Sequence, residues 1–403
     1  MHDPKMPSME SLPLEFQLLV TCARTRLDGP SAARLRVLVE AAPDWGKVLE
    51  GARRHGVMPL LHRHLSDHGT PGVPAPVLAE LGSFARKNAV HNLVLSHTLL
   101  GILEVLKGQN VEAVPYKGPA LASSAYGDVS LRSFKDLDLI VRPQDFDRAA
   151  GTLQSLGYAL SDKSPDGHFH ETFVHPETRV MVELHHDVIL RRYVPTPLEL
   201  NAMWRDLTRS TLLRQPVASF RPEDTLLLLC LHGSRHAWQG LTWICDVNEY
   251  IKAHPELDWE LVLQKAAQAE LARMVLLGLG LAHTLLDAPL PEGVRHALET
   301  DPKLSGLSRQ IITQMHRKTG PLGEATLTHR LQPAMRSGLL RLPLYAQLVV
   351  FLLRPNAQDR AAVRLPAGWG VGYYFVRPLR LIRRYLFPEL RALFAKAVPK
   401  HPS

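Results

Sequence analysis

The chain has 403 residues and is poor in the features that would place it outside a cell or within a membrane. Its three cysteines, Cys22, Cys230 and Cys245, are too few and too scattered for a disulfide framework, and none stands at a metal-ligand spacing. Met1 to Pro13 lacks a basic region followed by an apolar run, so no secretion signal is expected. The apolar run 342–353 contains Pro343 and is too short to span a bilayer. Repeats and low-complexity tracts are also absent, and the 31 prolines punctuate helices and loops instead of forming a linker. Together these absences give a reducing, cytoplasmic location as the expectation.

What is present is enough to build a large core. Hydrophobic residues make up 45% of the chain, which at this length predicts two or three compact parts. The net charge of +8 is moderate. It admits an anionic substrate, and a stable nucleic-acid complex is not expected from it.

The most informative stretch is Arg132-Ser-Phe-Lys-Asp-Leu-Asp-Leu-Ile-Val-Arg142. On a strand, alternate side chains share a face, so Asp136 and Asp138 point one way while Leu137, Leu139 and Val141 face a core. Two carboxylates held together on an apolar strand repel unless a cation or proton intervenes, and such pairs bind Mg²⁺. Upstream, 111–116 reads as a short strand, Lys117-Gly118-Pro119 as a turn and 120–126 as a helix. A glycine at such a turn lets backbone N–H groups approach a phosphate, proline suits the first helical turn, and Lys117 adds a positive charge. A helix from about Pro143 to Leu156, closed by Gly157, follows the strand.

This order resembles the nucleotidyltransferase fold of the DNA polymerase beta superfamily. More closely, Tyr-Lys-Gly-Pro-Ala-Leu, Tyr126-Gly-Asp, Arg132 and Lys-Asp-Leu-Asp-Leu-Ile-Val resemble a bacterial family of uncharacterised nucleotidyltransferases with a helical flank. The likeness runs from about Gly56 to Arg384 and is strongest over 114–157 and 222–250. It departs at the turn, where the superfamily usually carries Gly-Ser and this chain has Lys117-Gly118.

The resemblance implies an α+β fold and Mg²⁺-dependent transfer of a nucleoside monophosphate from a nucleoside triphosphate such as ATP. The acceptor would be an unidentified small molecule, sugar or peptide. The alternatives are an RNA or protein acceptor, or a non-catalytic binding protein on a degenerate transferase fold. Asp136 and Asp138 would hold metal, and Lys117 with the Gly118 amide would steady the β/γ-phosphates. Arg132 would do likewise or pair with Asp136.

A third carboxylate is expected on a neighbouring strand. In Arg179-Val-Met-Val-Glu-Leu-His-His-Asp187, alternation puts Met181, Glu183, His185 and Asp187 on one face. Glu183 is the candidate general base or third metal ligand, and Asp187 is its rival. His168 and His170 fall on a hairpin turning at Pro176-Glu-Thr. His232 and His236 share a helix face, but position 233 is Gly, so the glutamate of a zinc-protease motif is missing. The resemblance makes His185, His232, His236 and Asp246 candidates for the acceptor pocket, against a packing role.

Elsewhere the spacing predicts helices over 14–22, 32–39, 45–51, 76–86 and 91–106, and again over 225–232, 243–253, 259–268 and 271–286. The expected division is an N-terminal helical segment 1–107, a transferase core 108–193 and a C-terminal helical domain 194–403. Within 376–386, Arg377, Arg380, Arg383 and Arg384 are largely separated from Leu379, Ile382 and Leu386. That basic amphipathic stretch would dock by its apolar face or make peripheral membrane contact.

Overall fold

A computed structural model describes residues 9–67, 71–162, 170–187 and 200–316, together with the single positions Val363, Tyr374 and Val376. The chain divides into two units, Met1–Lys163 with Phe169–Ser337 and Ser164–His168 with Gly338–Ser403. His168 and, apart from Val376, the basic stretch 376–386 lie outside the described residues.

The first unit opens with helices α1 (Leu14–Cys22), α2 (Gly29–Glu40), α3 (Trp45–His55), α4 (Met58–Asp67) and α5 (Ala75–Gly108). Then come β1 (Ala113–Pro115), α6 (Gly118–Tyr126), β2 (Asp136–Val141), α7 (Phe146–Ser155), β3 (Ala159–Asp162), β4 (His170–Val174) and β5 (Met181–His185). After α8 (Leu200–Arg205) and the hairpin β6 (Thr208–Leu212) and β7 (Gln215–Ser219), the described residues up to 316 are helical. That part comprises α9 (Pro222–Arg235), α10 (Leu241–Ala253), α11 (Trp259–Gln268), α12 (Ala272–Leu286), α13 (Glu292–Thr300) and α14 (Pro302–Met315). Local chemistry sets many of these boundaries. Asp28, Asp44 and Asp258 cap α2, α3 and α11 by accepting from backbone N–H groups three residues on, and Gly56 ends α3 at φ +72°.

The five-stranded sheet runs β1-β2-β5-β4-β3. Only β2 and β5 are parallel, with Asp138 opposite Glu183 and Ile140 opposite His185. The remaining pairs are antiparallel, and β4 and β5 form the expected hairpin around 176–178. The fold class is therefore α+β with a small mixed sheet among helices, as the sequence predicts.

Both faces of the central strands are covered. Leu137, Leu139, Val141, Val182 and Leu184 pack with Leu95, Leu99, Ile102 and Leu106 of α5 and with Ala149 and Leu153 of α7. Val114, Tyr116 and Ile140 belong instead to a second cluster built mainly from the other helices. A strand between two apolar layers should avoid charge on either face. Asp136, Asp138 and Glu183 break that rule where β2 and β5 meet.

Helices α4, α8, α13 and α14 add to those the sequence predicts, and three further features depart from that reading. The helices expected over 76–86 and 91–106 are one helix, α5, because nothing between them is Pro or Gly. Asn88 and Asn92 obscure its periodicity by lying on the buried side. Asn88 donates to the carbonyls of Ser130 and Arg132, and Asn92 to those of Val129 and Arg132, at 2.6–3.2 Å. The strands β6 and β7 were not foreseen. Their turn residues Leu213 and Arg214 adopt positive φ, 46° and 66°, without the Asn-Gly that usually marks such a turn. Edge strand β3 was likewise missed.

Candidate active site

The loop between β1 and α6 places a cation on the acidic strands. Gly118 has φ +55°, and a Cβ there would lie 3.2 Å from the Asp136 carbonyl oxygen. Glycine therefore answers both the left-handed backbone and the close approach to β2. Beside it, the Lys117 ammonium reaches Asp138 Oδ1 at 2.7 Å, with both side chains almost wholly buried. The ammonium also lies 4.9 Å from the centre of the Tyr116 ring.

His185 completes the cluster. Its Nε2 is 3.3 Å from Asp138 Oδ1 and 3.4 Å from Glu183 Oε2, its ring stacks on His170 at 4.9 Å, and Tyr116 meets it edge-on at 5.8 Å. Asp138 and His185 are buried to 2% and 1% side-chain exposure, whereas Glu183 keeps 22% and is the more open carboxylate.

The three acids respond differently to this setting. Burial pushes the Asp136 carboxyl up to about 6, with the neighbouring Asp138 charge adding to the effect. Burial would raise Asp138 too, but the Lys117 ammonium and then His185 outweigh it and hold that carboxyl well below the usual range. The hydrogen bond with His185 lowers Glu183. Three carboxylates thus share one formal cation, Lys117, and the cluster is acidic overall.

A divalent cation fits this donor set. Asp138, Glu183 and His185 each offer a ligand atom within 4.8 Å of the others, and no hydrogen bond of normal geometry satisfies the buried Asp138 Oδ1. Asp136 lies two residues along the same strand, outside that group of three. Asp187 is buried beyond the end of β5 and is not part of the group either.

Arg132 does something other than expected. Its guanidinium forms a two-point pair with Asp246, Nε to Oδ1 at 2.7 Å and a terminal nitrogen to Oδ2 at 2.9 Å, so it does not pair with Asp136. Tyr126 Oη donates to the same Asp246 at 2.7 Å. All three are buried, and their bonds join α6, α10 and the segment leading into β2. Asp246 therefore anchors this segment through Arg132 and Tyr126.

His232 and His236 sit at the end of α9 with ring centroids 4.7 Å apart, and His236 stacks on Trp243 at 4.7 Å. Burial holds His232 well below its ordinary value, with the Lys117 charge as the next cause. Burial likewise lowers His236 to about 4, helped by Arg235 and Lys117 and opposed by Glu183. Both rings are thus neutral at pH 7 and lie within electrostatic reach of the cluster. The glycine at 233 has a packing cause. A Cβ there would come within 2.3 Å of the fully buried Trp238 ring, so a glutamate cannot stand between the histidines.

Tyr116 and His170 are site residues that sequence reasoning left without a role. Tyr116 was legible only as the neighbour of Lys117, and His170 only through the β4–β5 register that sets it opposite His185.

Comparison with known proteins identifies a family for the chain. The sequence profile of a family described as uncharacterised nucleotidyltransferases matches residues 41–287, and the chain belongs to that family. No curated protein matches it. Among solved structures, an antigenic nucleotidyltransferase-like protein from Paracoccidioides brasiliensis is 20% identical. That match covers 52% of this chain and 96% of the other, at a TM-score of 0.32.

Proposed function

We propose that the protein is a divalent-metal-dependent nucleotidyltransferase that moves a nucleoside monophosphate from a nucleoside triphosphate to a small-molecule, sugar or peptide acceptor. The observation that carries this reading is the meeting of Asp138, Glu183 and His185 directly beside the Lys117-Gly118 turn. A metal site and a phosphate-binding turn then share one small volume. Asp138, Glu183 and His185, with Asp136 alongside, would hold the ion. Mg²⁺ or a related divalent cation bound there supplies positive charge against the negative charge that develops on the reacting phosphate and on pyrophosphate.

The chain's own groups do the rest. Lys117 exchanges its contact with Asp138 for the β/γ-phosphates, and the Gly118 amide, at the start of α6, donates to the same oxygens. Glu183, the more open carboxylate, lies where an acceptor hydroxyl or amine would approach and takes its proton. Neutral His232 and His236 with Trp243 form one wall of the acceptor side, offering ring faces and hydrogen-bonding nitrogens without charge. Arg132 and Asp246 hold the segment before β2 in place.

The test uses nucleoside triphosphates labelled at either the α- or the γ-phosphate, with an acceptor mixture and divalent metal. Label should pass to an acceptor from the α-position only, and Asp138→Asn should abolish it. Transfer from the γ-position would make the protein a kinase and contradict the proposal, as would α-transfer unaffected by Asp138→Asn.

A further inference from the structure

Helix α5 buries polar side chains while leaving apolar ones exposed. Its buried side carries Asn88, Asn92 and Ser96 as well as Leu95, Leu99, Ile102 and Leu106. On the side turned to solvent, Val90, Leu93, Val94 and Val105 are 64%, 44%, 53% and 36% exposed. Val90, Val94, His97 and Gly101 follow one another at helical spacing, so these residues form a continuous stripe. A Cβ at Gly101 would meet nothing within 4 Å, leaving an open notch at one end of the stripe, with Val90 a protruding side chain at the other. Exposed apolar side chains in such a row need a partner.

The charges on this face say which partner. Arg86 and Glu104 are exposed, and neither has an ion pair among the described residues. They stand eighteen positions apart, five turns at 3.6 residues per turn, and so lie on the same flank of the helix. A two-fold axis at the seam between two such helices, level with position 95, brings Arg86 of each copy beside Glu104 of the other. In an antiparallel pair of α5 helices, Arg86 of one copy therefore meets Glu104 of the other, and the reverse contact forms at the far end. The same register sets Val90 opposite the Gly101 notch and Val94 opposite His97. One operation thus satisfies a knob, a notch and two ion pairs, which is the self-complementarity that a two-fold interface requires.

We propose that α5 is a homodimerisation surface, on which the exposed stripe packs antiparallel against that of a second copy of this chain. From Arg86 to Val105 the seam is about 30 Å long at 1.5 Å per residue. A helix pair of that length buries of order 1,000 Å², at the low end for specific interfaces, so the dimer dissociates on dilution. The hydropathy of α5 would also suit a membrane-spanning helix by length and composition. Its opposite face is occupied by the sheet and by the Asn88 and Asn92 hydrogen bonds, however, which leaves only the stripe for a partner.

Sedimentation equilibrium at protein concentrations of about 1–100 µM, a range covering weak homodimers, tests this on the full chain. The wild type should show a monomer–dimer equilibrium, and Val94→Asp, at an exposed position, should be a folded monomer throughout. Arg86→Glu and Glu104→Arg should each weaken the dimer about tenfold, since each places like charges opposite twice, and the double variant should return to within about threefold of wild type. Restoration by the double swap is specific to this register. A monomeric wild type, a dimer indifferent to Val94→Asp, or a double swap that fails to restore association would each overturn the proposal. A monomer that binds anionic vesicles through the stripe would transfer the face to a lipid surface and overturn it as well.

Discussion

Two buried groups of charged residues draw on the same stretch, 117–138, and behave in opposite ways. Arg132, Asp246 and Tyr126 form a closed set, with one guanidinium, one carboxylate and every contact a short hydrogen bond. Asp136, Asp138, Glu183, Lys117 and His185 form an open one, with three carboxylates around one ammonium and Asp138 Oδ1 lacking a well-directed donor. The closed set is matched in charge and geometry, which suits a structural tie between elements. The open set keeps an unbalanced negative charge inside the fold, and that is what a cation site must do before the cation arrives. Residue types do not separate the two, since both contain Asp and a basic partner. The count of charges and the satisfaction of each oxygen do.

The largest expected effect breaks the closed set. Arg132→Met leaves Asp246 buried with only Tyr126 as partner and should lower unfolding free energy by about 3–5 kcal/mol. Urea denaturation should show this loss equally with and without divalent metal. If metal binding falls while stability is unchanged, Arg132 belongs to the open set and the contrast fails.

Asp138→Asn should have a smaller structural cost, about 1–3 kcal/mol, because Asp136 and Glu183 still offset the Lys117 charge. Its main consequence should be loss of metal binding, readable by calorimetry or by the paramagnetic signal of Mn²⁺.

Asp136→Asn should act in the opposite direction and stabilise the metal-free protein. The native carboxyl titrates near 6 while the unfolded one titrates near 4. The native state therefore holds the proton longer, and stability drains away as pH rises through that window. At pH 8 the asparagine variant should gain about 1–3 kcal/mol, and the gain should vanish below about pH 4. Denaturation curves at both pH values decide it. A destabilised Asp136→Asn at pH 8 would mean that the site is not strained by its own charge.

The smallest effect is expected at His236. His236→Gln should change stability by less than about 1 kcal/mol and leave metal affinity intact, since the ring lies outside the ligand group. Isothermal titration of metal into this variant would expose any direct ligation.

Much of the open set was legible in the sequence because its signals are local. A carboxylate alternation on an apolar strand, a Gly-Pro after a short strand and an acidic-x-His strand each imply a side-chain direction within a few residues. The β2–β5 register then brings Asp138 opposite Glu183 without further instruction. The partner of Arg132 was not legible, because Asp246 is more than a hundred residues away and only the packing of α6 and α10 makes them neighbours. The continuity of α5 was hidden for a related reason. Its asparagines point inward to the carbonyls of Val129, Ser130 and Arg132, and Val90, Val94 and Val105 are exposed, which blurs the pattern by which a buried helix face is recognised. The β6–β7 hairpin carries no glycine or asparagine at its turn, so the chemistry that announces most tight hairpins is missing.

The central claim is that the open set binds metal and nucleotide together. Calorimetric titration of a non-hydrolysable nucleoside triphosphate into the folded protein, with and without divalent metal, tests it most directly when repeated in Asp136→Asn/Asp138→Asn. The account predicts binding that requires both the metal and the two aspartates. Equal metal-dependent binding by the folded double variant would contradict it.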